Sequence, residues 1–334
     1  MVELSNIVKN FKTPKVLVVG DLMLDEYISG EANRISPEAP ILILDAKETT
    51  YLPGGAANTA HNIKTLGDEV ILTGVIGQDE KGRILKEALE KKGIDSQGLI
   101  IDPQRKTTLK TRVVARNQQV VRVDIENRDP IGLQTEESLF NFIQSKIGEI
   151  SSIIISDYAK GVVTSTLSQK IIALARNNNI LCLIDPKGND YSKYRNCHII
   201  TPNKKEIAQA LNIPIEQMSD KSKFLQAGKM LLGHVMSDYV LVTQGAEGMT
   251  LFGKDGNVFY YQAVNKKAID VSGAGDTSIG TFALALGAGA DLKQAVILAS
   301  HACGVEVSKV GTAVVFPEEL EESLRDLTYE EKQD

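Results

Sequence analysis

Several absences narrow the chemistry of this 334-residue chain before any motif is read. Two glycines four residues apart followed by Lys and Ser or Thr occur nowhere, which excludes a P-loop phosphate cradle. No Gly-x-Gly-x-x-Gly follows the first strand, where Gly20 leads into Asp21, Leu22 and Met23, and this argues against a nicotinamide dehydrogenase. Gly-x-Ser-x-Gly is also missing, which weakens a hydrolase reading. Cysteine is scarce: Cys182, Cys197 and Cys303 are widely spaced among apolar residues, a pattern of buried reduced thiols rather than bridges or a zinc knuckle. His61 has no second histidine at metal spacing. Residues 1–15 lack an apolar signal core and no run approaches a membrane span, so a cytoplasmic protein is expected. Long blocks of one charge are absent too, with 37 basic against 43 acidic residues, so no nucleic-acid or membrane partner is expected and any anion site must be local.

What is present centres on Ile269-Asp270-Val271-Ser272-Gly273-Ala274-Gly275-Asp276-Thr277, which runs into an apolar helix over 278–286. Glycines on either side of an alanine let successive N–H groups converge on an anion at the positive end of that helix. A carboxylate inside such a seat would repel a bound phosphate, so Asp276 suits a base that takes a proton from an incoming hydroxyl. A simple turn with Asp276 as N-cap fits the same residues, and this segment alone does not separate the two.

The hydrophobic share of 43% is ample for a large core. Residues 16–20 read as a buried strand that ends at Asp21, with Asp25 just beyond, and two carboxylates there can grip sugar hydroxyls. A proline-bounded loop over 33–40 leads into a strand at 41–44. The runs 107–115 and 119–124 join across Arg116, Asn117 and Gln118 into a small separate sheet, a lid or dimer surface. Pro53-Gly54-Gly55 turns into a helix over 56–67, with Asn58 in its first turn. From residue 151 strands and helices alternate, which predicts parallel strands covered by helices on both faces. Four polar loops then fall on one sheet edge, at 156–161, 185–188, 201–206 and 243–248. Asn203 and Glu206 match a capping box, and the same Glu can hold Mg²⁺ through water. An antiparallel hairpin is expected over 249–261, a helix over 292–307, a loop over 308–312, and a terminal helix that frays from 317 to 334.

Gly54-Gly55-Ala56-Ala57-Asn58 near the start and Asp270-Val271-Ser272-Gly273-Ala274-Gly275-Asp276-Thr277 near the end resemble, in order and spacing, the ribokinase-like (PfkB) carbohydrate kinase family. The resemblance spans nearly the whole chain. It implies one kinase domain over 1–334, an α/β three-layer sandwich with a mostly parallel central sheet and a small β-sheet lid from about 25–52 and 105–127. Within the family, residues 34–40, 118–124, 156–161 and 185–188 look like those of kinases acting on D-glycero-D-manno-heptose 7-phosphate. That likeness implies ATP-dependent phosphorylation of the anomeric hydroxyl, with kinases of other sugars or a non-catalytic sugar-phosphate sensor as alternatives.

By the same resemblance Asp276 is the base and the amides of Gly273, Ala274 and Gly275 the anion hole. Asn203 and Glu206 organise Mg²⁺, Thr243, Gly245 and Lys187 follow ATP, and 300–304 lies near the adenine. Asp21, Gly54, Gly55, Asn58 and Asp157 contact the sugar. Arg34, Arg112 and Lys160 are assigned to the 7-phosphate, because a dianion needs cations. Asp270, Ser272 and Gly311 border a monovalent-cation site for K⁺, as in some relatives, with Ser272 where Thr is frequent. A homodimer through the small sheet is expected. The chain lacks a His-x-Gly-His nucleotidyltransferase motif, so the adenylyl step of ADP-heptose synthesis is expected elsewhere.

Overall fold

The computed structural model describes residues 2–330 except 117, 265–267 and 310. Asn117 of the expected turn, Val310 of the expected loop and the fraying expected at 331–334 lie outside the described residues. In chain order the strands are β1 (Val16–Gly20), β2 (Leu22–Ile35), β3 (Leu42–Gly55), β4 (Val70–Gly77), β5 (Leu99–Asp102), β6 (Thr108–Ala115) and β7 (Gln118–Ile125). They continue with β8 (Ser152–Ser156), β9 (Leu181–Asp185), β10 (Ile199–Ile200), β11 (Tyr239–Thr243), β12 (Met249–Gly253) and β13 (Val258–Tyr261). The helices are α1 (Val2–Lys9), α2 (Ala56–Gly67), α3 (Glu80–Lys91), α4 (Leu133–Lys146), α5 (Ser165–Asn177), α6 (Lys204–Ala210), α7 (Lys221–Val235), α8 (Ala274–Gly287), α9 (Leu292–Glu306) and α10 (Pro317–Glu330).

Among the described residues, nine strands form one sheet in the order β13-β12-β11-β10-β9-β8-β1-β4-β5, and four form a second in the order β3-β2-β6-β7. Every residue of β1 is buried, because helices cover both faces of the sheet. Side chains alternate along the strand, so Val16 and Val18 enter one core while Leu17 and Val19 enter the other. The first core is closed by α2, α8 and α9, the second by α4, α5 and α7. This is the three-layer sandwich that the alternation of strands and helices predicts. Each fully buried Leu or Ile contributes about 1.5–3 kcal/mol, so β1 is a strong anchor for whatever its carboxyl end carries.

The parallel pairing brings those carboxyl ends into line. Gly20 is opposite Ser156, and Ser156 is opposite Asp185. A bridge from Asn203 to Thr243 continues the edge. The polar loops at 156–161, 185–188, 201–206 and 243–248 therefore border one crevice. Strands β12 and β13 join antiparallel, as the hairpin reading requires.

In the small sheet β2 pairs antiparallel with β3 and parallel with β6, and β6 pairs antiparallel with β7. Three local readings change. Asn33 to Ile35 belong to β2 instead of a loop, since Arg34 and Ile35 pair with Ile43 and Leu42. The helix expected over 278–286 starts four residues earlier, at Ala274, which moves Asp276 into its first turn. Strand β4, which the sequence reading passes over, pairs along the whole of β1. Among the described residues no helix is long and apolar enough to cross a membrane.

Candidate active site

Helix α8 is apolar on nearly all sides and buried from Asp276 through Ala285. Its N-cap is Gly273, at φ 103°, with no side-chain capping bond, so the reading of Asp276 as an N-cap does not hold. The backbone angle favours glycine at Gly273, and a Cβ there would also crowd Asn58 Nδ2 at 3.1 Å and Glu306 Oε1 at 3.2 Å. The first N–H groups of the helix have no intrahelical acceptor. The Ala274 N–H reaches the Val271 carbonyl at 3.4 Å, and the positive end of the helix at this turn suits an anion.

Asp276 is 4% exposed and faces into the protein. Its Oδ2 accepts from Asn58 Nδ2 at 2.7 Å, and its Oδ1 accepts from Thr59 Oγ1 at 2.5 Å and from the Tyr158 hydroxyl at 2.9 Å. Burial pushes its pKa up, and the three donors, Thr59 first, pull against that shift. Asn58 comes from the Gly-Gly-Ala-Ala-Asn element, so the two glycine-bearing motifs meet at one carboxylate. Thr59 carries no motif signal and Tyr158, though within the 156–161 stretch, is not marked there as a partner of Asp276; the packing of α2 and that loop against α8 brings both hydroxyls to it.

Beside this carboxylate runs a groove lined by Thr243, Gly245, Ala274, Gly275, Ser300, Cys303 and Gly304. Residues from three distant stretches thus form one apolar slot that ends at the turn before α8. On the crevice floor, Asn203 and Glu206 form the complete capping box, with Glu206 N–H donating to Asn203 Oδ1 and Asn203 N–H to Glu206 Oε2. Glu206 Oε1 also accepts from Lys187 Nζ at 2.8 Å. Burial, then the charges of Asp276 and Glu206, drive the pKa of Asp185 well above the carboxylate range. Among the described residues no three His, Cys, Asp or Glu side chains form a direct metal cage. Glu206 keeps lone pairs beyond its two bonds, and the local excess of carboxylates suits a hydrated Mg²⁺ held through water.

Several sequence assignments move. Asp21 is not turned to the crevice: its Oδ2 accepts the N–H groups of Tyr158 and Lys160 at 2.8 and 3.1 Å, and its Oδ1 that of Val162 at 3.0 Å. Burial and the neighbouring Asp157 raise its pKa to about 6. Asp25 instead lies against Gly54, where any Cβ would overlap its Oδ2, and it pairs with Arg112. Gly55 is the N-cap of α2. Arg34 is 65% exposed on the outer part of β2 and pairs with Asp45, remote from Asp276. Lys160 Nζ is taken by Glu126 at 2.6 Å. Asp157 is committed to Lys193, the Tyr194 hydroxyl and the Ala159 N–H.

Arg112 has unassigned neighbours. It stands opposite Arg122 on β7 and beside Tyr27 on β2, while Lys110 stands opposite Asp124. Cross-strand partners share a face. Burial raises the pKa of the Tyr27 phenol on that face, and Arg112, Asp25 and Asp270 lie near enough to act on it. Arg122 bonds Asp124 at 2.9 and 3.2 Å. Three cations, Lys110, Arg112 and Arg122, therefore meet two anions, Asp25 and Asp124.

Asp270 holds the loops on the far side of the turn, its Oδ1 accepting from Ser272 N–H at 2.9 Å and its Oδ2 from Gly311 N–H at 3.1 Å. Next to them Glu306 is inaccessible to solvent, and among the described residues neither of its carboxyl oxygens has a hydrogen-bond partner. Burial, then Asp270 and Asp276, raise its pKa to about 8. Orphaned buried oxygens beside Asp270 fit a monovalent cation.

The chain is similar to known proteins in sequence and in fold. The pfkB family carbohydrate kinase pattern matches residues 13–319. The bifunctional protein HldE of Geobacter metallireducens is 46% identical over 304 residues, 91% of this chain and 61% of that protein. The chain thus spans about three fifths of that relative's length. Arabidopsis thaliana ribokinase complexed with ribose and ATP superposes with a TM-score of 0.72 at 18% identity, covering 93% of this chain and 99% of that one. Phosphofructokinase-2 from Escherichia coli in complex with potassium gives 0.75 at 20% identity, covering 95% and 100%. The fold is ribokinase-like, and the chain belongs to the pfkB family of carbohydrate kinases.

Proposed function

We propose that this carbohydrate kinase transfers the γ-phosphoryl group of ATP to the anomeric hydroxyl of D-glycero-D-manno-heptose 7-phosphate, giving heptose 1,7-bisphosphate. One observation carries the reading: Asp276, buried and fixed by three neutral donors, sits in the first turn of α8 and is bonded by Asn58 of the Gly-Gly-Ala-Ala-Asn element, beside which Asp25 lies against Gly54. ATP occupies the groove from Ser300 and Gly304 to Gly275, with Thr243 and Gly245 alongside. The relative named HldE and the heptose-kinase resemblance of residues 34–40, 118–124, 156–161 and 185–188 support the choice of sugar.

In this reading Asp276 accepts the proton of the anomeric hydroxyl as its oxygen bonds the γ-phosphorus. The bond from that phosphorus to the bridging oxygen breaks, and the electron pair leaves with ADP. The Gly273, Ala274 and Gly275 amides stabilise the charge on the phosphoryl oxygens. Glu206, with Asn203 and Lys187 fixing it, holds Mg²⁺ through water, and that ion when bound neutralises phosphate charge. Asp270, Ser272, Gly311 and Glu306 would hold a K⁺ ion, whose charge would offset the carboxylates beside the turn. Arg112, with Arg122 and Lys110, takes the distal phosphate. A small-sheet homodimer is also proposed, since Val121 and Val123 are about half exposed on the face opposite Arg122; light scattering tests it, and a monomer at all concentrations excludes it.

A substrate panel decides the sugar. ADP release with heptose 7-phosphate at a kcat/KM at least tenfold above fructose 6-phosphate and ribose is expected. Preference for either of the others would overturn the heptose assignment while leaving the kinase chemistry in place.

A further inference from the structure

Nothing in the motifs explains why a tyrosine hydroxyl and a threonine hydroxyl should both end on one oxygen of Asp276. An ionised carboxylate offers roughly two acceptor sites on each oxygen. Oδ1 receives Thr59 Oγ1 and the Tyr158 hydroxyl, so both of its sites are filled. Among the described residues Oδ2 receives only Asn58 Nδ2, which leaves one site open. We propose that Tyr158, together with Thr59, is a positioning residue of the phosphoryl transfer: it saturates Oδ1 so that Oδ2 is the atom that takes the acceptor's proton. This rests on the reading of Asp276 as the base.

The fold commits considerable structure to delivering that hydroxyl. The 157–162 loop is wound around the Asp21 carboxylate, which binds the backbone of Tyr158, Lys160 and Val162 at once. Ala159 sits at φ 55°, a left-handed angle unfavourable for a residue with a Cβ, and Asp157 Oδ1 holds its N–H at 2.6 Å. Asp21 itself is anchored at the end of fully buried β1. A chain of contacts therefore runs from the central strand through Asp21 to Tyr158 and the base. It gives Asp21 a task after it is removed from the sugar.

Electrostatics make the hydroxyls consequential. The charged and titratable neighbours that face Asp276 are Asp25 from β2, Asp185 from the end of β9, Glu306 from the end of α9, and Tyr158 itself. The carboxyls among them oppose its ionisation, as burial does. Neutral donors on Oδ1 favour the ionised form against that opposition without placing a cation where the acceptor must come.

The test compares Tyr158→Phe, Thr59→Val and Thr59→Ser in the full chain, each checked for an unchanged thermal midpoint. Rate against pH is followed with the best acceptor of the panel. Loss of either hydroxyl is expected to lower kcat about tenfold near neutrality and to move the acid limb of the profile up by about one pH unit, the scale of one charge-assisted hydrogen bond. The acceptor KM should change less than about twofold, and Thr59→Ser should restore the profile. An acid limb unmoved in both Phe and Val variants would reduce the two hydroxyls to packing and overturn the inference. If Tyr158→Phe fails to fold, the Thr59 pair carries the same decision. Near-normal turnover in Asp276→Asn would instead remove the base reading itself, so the two failures are distinguishable.

Discussion

Asn58 and Asp276 lie 218 positions apart in the chain and share a buried 2.7 Å hydrogen bond. The first lies in the first turn of α2, just after Gly54 and Gly55, and the second in the first turn of α8, just after Gly273. Each turn is short enough for its helix to approach the other, and the bond exists only when both helices pack on the central sheet. Catalytic geometry and core packing are thus one construction, and substitutions at the turns should report on both.

Glu206 bears two tasks that one substitution can separate. Glu206→Gln keeps an acceptor for the Asn203 N–H and so preserves the capping box. It loses the charge shared with Lys187. The Mg²⁺ concentration for half-maximal rate is expected to rise about fivefold or more with little change in thermal midpoint, in line with losses at outer-shell metal positions. An unaltered Mg²⁺ titration would leave Glu206 with capping alone.

Arg122 offers a test of where the distal phosphate sits. Arg122→Ala removes one of two arginines directly opposite each other, a like-charge pair that an anion would relieve. KM for the phosphorylated sugar should rise about tenfold or more, the size of one lost charge-assisted contact, while the rate with the corresponding unphosphorylated sugar stays level. Equal losses on both sugars would point to a disturbed small sheet instead of a phosphate contact.

The folding of the chain was legible in its alternation of apolar strands and amphipathic helices, because β1, β8, β9 and β11 are buried on both faces and read as unbroken apolar runs. The glycine motifs named Asn58 and Asp276 before any contact was known. Tyr158 and Thr59 were not legible, since a hydroxyl's partner depends on how two helices and a loop pack. Asp21 was misplaced for a related reason. It lies between two strands, and which of Asp21 and Asp25 faces the crevice depends on how the chain leaves β1, not on the spacing of the two acids. Arg34 looked like an anion ligand by charge alone, but seven residues along an extended strand carry it about 23 Å beyond Tyr27.

Glu306 predicts a pH signature. Its carboxyl has a pKa of about 8 in the fold against an ordinary 4.5. The folded state therefore holds the proton more tightly than the unfolded chain. Stability is lost as pH rises from about 4.5 to about 8 and is level beyond. In K⁺-free buffer the thermal midpoint of Glu306→Gln minus that of the parent should grow by about 3 °C or more between pH 5 and pH 8. A difference that does not vary with pH would show that Glu306 does not titrate in that window.

The central claim is that Asp276 is the base of a sugar kinase. The most direct measurement is single-turnover phosphoryl transfer by Asp276→Asn at saturating ATP and acceptor, alongside nucleotide affinity. The account predicts ATP binding within about threefold of the parent and a transfer rate reduced by about 10³-fold or more, the range for loss of a general base in a pre-formed site. Transfer within about tenfold of the parent rate, with binding intact, would contradict it.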